Sequence, residues 1–180
     1  MPSKALKFLA GSLFLALALA GFLGAGSAQV SPTEEFLQWG RSGQWGQWGP
    51  YSDSLQLNRE SAVARHNYCP TGGCVLRVDG ISVEPSRARR GDTLKLRTTY
   101  TLLTPEGVPI PITFTREIFF QGKSLGRTKD IDARNPNGTF NRDINFTLPP
   151  NSPPGEYTIV TKVATGYGED MKSAQFLVVQ

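Results

Sequence analysis

Histidine is almost missing from this chain: His66 is the only one, beside two cysteines and two methionines. One histidine cannot make a two-histidine metal motif, and no Gly-x-Ser-x-Gly elbow or glycine-rich phosphate loop occurs. An enzyme is therefore not expected, and neither is a cofactor. Charge of one sign is scarce as well. Nineteen Lys and Arg stand against 15 Asp and Glu, a net charge of +4. Losing Lys4 and Lys7 with a leader peptide leaves +2. A nucleic-acid binder carries a far larger basic excess on one face, so nucleic acid is not an expected partner.

Cysteine is limited to Cys69 and Cys74, separated by Pro70-Thr71-Gly72-Gly73. In an oxidising compartment such a close pair is expected to form a disulfide. Closing so short a loop contributes on the order of 2 kcal/mol. A metal site built on His66, Cys69 and Cys74 has three ligands at most, short of a zinc tetrahedron. The compartment is indicated by the other end of the chain. Lys4 and Lys7 precede an apolar run from Phe8 to Ala25, and Gly26-Ser27-Ala28 supplies a small-residue exit. This pattern is a secretory signal peptide over residues 1–28, which makes the rest extracytoplasmic: periplasmic, at the cell surface or secreted. The membrane is a partner only if that segment stays uncleaved as an anchor.

Residues 29–74 have their own texture. The stretch Gln38-Trp39-Gly40-Arg41-Ser42-Gly43-Gln44-Trp45-Gly46-Gln47-Trp48-Gly49-Pro50-Tyr51 holds all three tryptophans. No strand or helix period runs through it, so it reads as an irregular loop or extended arm ending in the Cys69–Cys74 loop. A short helical turn is expected at Ser61–Asn67. From Val75 the pattern changes to strands. Leu94, Leu96, Thr98, Tyr100 and Leu102 alternate with Lys95, Arg97, Thr99 and Thr101, a period of two. Similar apolar rows are Val78–Val83 (bulged at Gly80), Ile110–Phe120, Leu125–Ile131, Phe140–Leu148, Tyr157–Val163 and Ala174–Val178. Arg116 interrupts one apolar row, a place that suits an edge strand or a bulge. About seven strands bounded by Gly, Pro or Asn predict an all-β sandwich or barrel over residues 75–180.

Arg90-Gly91-Asp92-Thr93-Leu94, Leu148-Pro149-Pro150, Pro154-Gly155-Glu156-Tyr157-Thr158 and Ala174-Gln175-Phe176-Leu177-Val178 carry a family likeness. From about Val75 to Val179 the chain resembles the immunoglobulin-like domains of secreted and envelope proteins, including bacterial surface proteins and filamin-type repeats. Tyr157, near the start of a late strand, stands where such sandwiches lock a corner with a tyrosine. The resemblance implies an antiparallel immunoglobulin-like sandwich with a binding, spacing or assembly role and no catalysis.

The candidate partner-binding residues are Trp39, Trp45, Trp48 and Tyr51, whose rings suit docking on a protein or stacking on a glycan. Folding back to cover the sandwich is the alternative for these rings. Arg87, Arg89 and Arg90 crowd one turn and are candidate contacts for an anion. Asp130 and Asp132 share a strand face, which reads as a charged edge that discourages aggregation. Asn137-Gly138-Thr139 and Asn145-Phe146-Thr147 are glycosylation sequons in a host that glycosylates secreted proteins. The sequence thus predicts a non-catalytic extracytoplasmic domain that docks on partner subunits or self-assembles through its aromatic arm. A carbohydrate-binding or adhesin module is the alternative.

Overall fold

The computed structural model describes residues 46–69, 71 and 73–180, with backbone alone for 131–134. The expected signal peptide, Trp39 and Trp45 lie outside the described residues. The elements are β1 (Gln47–Leu57), α1 (Arg59–His66), β2 (Val75–Glu84), β3 (Arg87–Arg89), β4 (Thr93–Leu103), β5 (Ile110–Phe120), β6 (Lys123–Asn135), β7 (Gly138–Thr147), β8 (Gly155–Thr165) and β9 (Gly168–Val179). They form one sheet in the order β1-β7-β4-β2 and another in the order β3-β9-β8-β5-β6. All pairings are antiparallel except β3 with β9. The fold is an all-β sandwich.

Alternation in sequence becomes alternation in burial. On β5, Ile110, Ile112, Phe114, Arg116, Ile118 and Phe120 are buried, and the residues between them face outward. Leu94, Leu96, Ile144 and Phe146 of the four-stranded sheet meet Ile118, Phe120, Ile159 and Phe176 of the other in one apolar cluster. A second cluster gathers Val78, Tyr100, Leu102, Ile112, Phe114, Phe140 and Val163. Burying each such side chain contributes roughly 1.5–3 kcal/mol. The expected bulge is present as a register shift between Val78 and Gly80. A two-residue hairpin loop joins β5 to β6, with Gln121 at φ 49° and Gly122 at φ 75°, the geometry that matches the strand twist.

Tyr157 is fully buried and its hydroxyl donates to Pro153 O at 2.8 Å. It stacks on Phe176 with ring centroids 5.3 Å apart. The corner before β8 is thereby tied to the core by one side chain.

The segment read as an irregular arm is ordered where it is described: Gln47–Leu57 is a strand and Arg59–His66 a helix. Asn58 caps α1 by accepting from Ser61 N at 2.9 Å, and Asn67 ends it in the left-handed region. Ala62, Tyr68 and Leu103 form a small third cluster that docks the helix, with Leu57 and Val75 packed against it. Gly138 makes room for the end of β1, since a Cβ there would lie 2.6 Å from Leu57 O. Among the described residues the sandwich therefore includes β1, ahead of Val75.

Candidate functional site

Strand β1 is an edge strand, paired with β7 alone among the described strands. Its sequence places Trp48 and Tyr51 three apart, which in a regular strand puts them on opposite faces. A register shift between them changes this: Trp48 pairs with Phe146 and Tyr51 with Ile144, so both rings face inward. Trp48 stacks on Phe146, centroids 5.1 Å apart, and packs against the larger apolar cluster. Tyr51 stays 44% exposed, with the Arg142 guanidinium 4.1 Å from its ring centroid. Leu55, opposite Phe140, is 55% exposed.

Between Tyr51 and Leu55, Asp53 takes the guanidinium of Arg142 in both oxygens: Nε to Oδ1 at 2.7 Å and Nη2 to Oδ2 at 2.5 Å. Arg142 is fully buried and also lies 4.0 Å from the Phe114 ring. A flat cation between two aromatic faces, with its fork filled by a carboxylate, is a favourable way to bury that charge.

Arg116 is the second buried arginine. The edge or bulge expected for it is not what the structure shows, because β5 runs between β8 and β6. Its Nη1 donates to Asp130 of β6, and its guanidinium lies 5.6 Å from the Phe114 centroid and 6.0 Å from that of Trp48. Burial pulls Arg116 below the ordinary arginine value, and the bond to Asp130 opposes that pull.

Register explains why these charges meet. Asp53, Arg142 and Thr98 stand side by side across β1, β7 and β4, and Thr128, Arg116 and Thr161 across β6, β5 and β8. Together they make a polar layer between the two apolar clusters. Arg116 Nε and Nη2, Thr128 Oγ1 and Thr161 Oγ1 have no hydrogen-bond partner in this layer among the described residues. Asp53, Leu55 and Arg142 were not singled out from sequence. The available signal was charge of opposite sign, Asp53 against Arg116 and Arg142, in rows that are otherwise apolar.

The remaining predicted residues are scattered. The expected Cys69–Cys74 disulfide is not formed. Cys69 Sγ instead lies 3.0 Å from Thr71 Oγ1, and Tyr68 closes the loop by donating to Gly73 O at 2.6 Å. Burial pushes the Cys74 thiol up, and Glu106 adds to the effect. His66 does not gather with the cysteines; its Nε2 lies 3.3 Å from the Thr101 hydroxyl. That hydroxyl donates to Asp79 at 2.6 Å, so His66 is the donor in its own bond.

Arg87 and Arg89 are exposed on either side of Ala88, which enters the core, and Arg90 follows in the turn. Asp130 is tied to Arg116 and does not form a free acidic pair, while the Asp132 side chain is outside the described residues. Of the sequons, Asn137 is buried and bonded to Thr104, whereas Asn145 is exposed on β7.

No protein-family model matches the sequence, and no curated protein is similar to it in sequence. Several solved structures share part of the shape. A Pseudomonas fluorescens alkylpurine DNA glycosylase bound to DNA containing an abasic site analog is similar at TM-score 0.45 and 12% identity, over 58% of this chain and 30% of that one. A Listeria innocua β-glucosidase in complex with glucose is similar at TM-score 0.41 and 11% identity, over 59% of this chain and 16% of that one. A CARDB domain from Pyrococcus furiosus in complex with di-metal ions is similar at TM-score 0.38 and 14% identity, over 59% of this chain and 92% of that domain. This chain thus spans less than a third of the glycosylase and of the glucosidase.

Proposed function

We propose that the chain is a non-catalytic extracytoplasmic domain of the immunoglobulin-like kind, which joins partner subunits through the edge of β1. The observation that carries this reading is the chemistry of that edge. From Tyr51 to Leu57 it has no lysine, arginine or proline, and Tyr51 and Leu55 are half exposed. Soluble proteins guard edge strands with such residues. On β1, Pro50 and a register shift stand before Tyr51, and the inward charge of Asp53 is neutralised by Arg142. The stretch from Tyr51 to Leu55 is therefore a template for an added strand. The opposite lip of the sandwich, β6, is guarded by Lys123, Arg127 and Lys129. The Tyr157 corner supports the immunoglobulin-like affiliation, and the leader pattern supports export. The glycan reading loses one platform, because Trp48 lies against Phe146.

A photoreactive amino acid placed at Leu55 tests the proposal in the native host. Covalent adducts are expected there and not at Asn145, which is exposed on the outer face of β7. Adduct formation equal at both positions, or absent at both, refutes the interaction reading. A phosphatase fused to the C-terminus is expected to be active only if the chain is exported, so an inactive fusion overturns the localisation.

A further inference from the structure

We infer that the strand accepted by β1 is β1 of a second copy, paired antiparallel about a two-fold axis through Asp53. This rests on the edge reading above and adds the occupant. Charge is the first argument. Between Tyr51 and Leu57 the sole charged residue is Asp53, and it is turned inward and neutralised by Arg142. Each copy thus brings the counter-charge for its own carboxylate to the contact, which offsets the repulsion between the two Asp53 side chains. The other edges differ: β6 carries Lys123, Arg127 and Lys129, β2 carries Arg77, Asp79 and Glu84, and β3 carries Arg87 and Arg89.

Self-complementarity is the second argument. A two-fold contact brings a surface against itself, so each residue needs a suitable partner at the mirrored position. About Asp53, Tyr51 falls opposite Leu55 of the second copy, and Leu55 opposite its Tyr51. Ser52 and Ser54 pair in the same way on the other face. The two inward-facing apolar residues left half exposed on β1 thus cover each other, as cross-strand aromatic–aliphatic pairs. At the axis the two Asp53 carboxylates are each held by their own Arg142, giving an Arg–Asp–Asp–Arg row with no net charge. A short strand pair buries less than the about 1,600 Å² of a standard interface, so this dimer is weak and forms at high concentration.

Sedimentation equilibrium of the exported chain is the test, with wild type, Tyr51→Glu, Leu55→Lys and the double variant. Wild type is expected to dimerise with concentration, and each single variant to weaken dimerisation about tenfold. The double variant is expected to recover most of the loss, because each introduced carboxylate then faces an introduced ammonium across the axis. Hydrogen exchange gives a second readout free of substitutions: the Ser52–Gln56 amides are expected to slow as wild-type concentration rises. A wild type that stays monomeric at about 1 mM, or a double variant weaker than both singles, overturns the pairing. Concentration-independent protection of β1 also overturns it, since another segment then covers the edge. Adducts at Leu55 with a different protein and no dimer leave the edge reading standing and remove the second copy alone.

Discussion

Replacing Arg116 by methionine is expected to stabilise this protein, although it deletes a fully buried ion-pair partner. The Arg116 side chain is 0% exposed, that of Asp130 31% exposed. Two of the guanidinium's donor atoms, Nε and Nη2, have no partner among the described residues. Each buried unsatisfied donor costs about 1–3 kcal/mol. Against this stand one charged hydrogen bond, worth about 1.5–3 kcal/mol, and two distant aromatic contacts of about 0.5 kcal/mol each. Methionine fills a similar volume with no polar atom, and Asp130 is free to turn into water. The balance favours Arg116→Met by about 1 kcal/mol, which raises Tm by about 2–4 °C for a domain of this size.

Asp130→Asn works in the opposite direction, because it leaves the buried guanidinium without its counter-charge. It is expected to cost about 3 kcal/mol. In the Arg116→Met background the same change should cost almost nothing. Urea denaturation of both single variants and the double completes the cycle. A loss of 1 kcal/mol or more from Arg116→Met, or an Asp130→Asn cost that persists in its background, refutes this account of the polar layer.

Asp53→Asn removes the carboxylate that fills the Arg142 fork, and is expected to cost about 2–4 kcal/mol with faster hydrogen exchange along β1. Tyr157→Phe loses the bond to Pro153 O, about 1 kcal/mol by thermal denaturation. Burial pushes the Tyr157 phenol above its ordinary value of 10.0. The folded state therefore holds that proton more tightly, so its stabilising effect is complete below pH 10 and is lost as pH rises beyond it. Stability profiles of wild type and Tyr157→Phe should converge on the alkaline side, and parallel profiles would contradict this. The Arg97 guanidinium, bonded to Asp143 at 2.8 and 2.7 Å, holds that carboxyl below its ordinary range. This contribution is present at neutral pH and is lost as pH falls below about 4, so Asp143→Asn should flatten the acid limb of the stability curve.

The strands read from sequence all appear in the structure, as β2 and β4–β9, because each keeps enough of a period of two for a local window to detect, even where register shifts interrupt β2 and β5. Two strands were not legible. β3 is three residues long, too short to show a period. β1 has register shifts between Trp48 and Tyr51 and between Leu55 and Leu57, and each resets the alternation. Its inward row also includes Asp53, which looks misplaced until Arg142 is seen across the strand pair. The tryptophan-rich texture drew attention to the right segment. It did not show that Trp48 belongs to the core while Tyr51 and Leu55 face the opening.

Sequence alone determined the all-β architecture and the place of Tyr157, since alternation and turn residues act within a few positions of one another. Tertiary structure decided what the odd charges do. Asp53 and Arg142 are far apart in the chain, as are Arg116 and Thr161, and only strand pairing sets them in one layer. The energy of a buried charge depends on which atoms surround it, and no local pattern encodes that. The edge at β1 is likewise a property of sheet order: the same eleven residues in a central strand would present no surface at all.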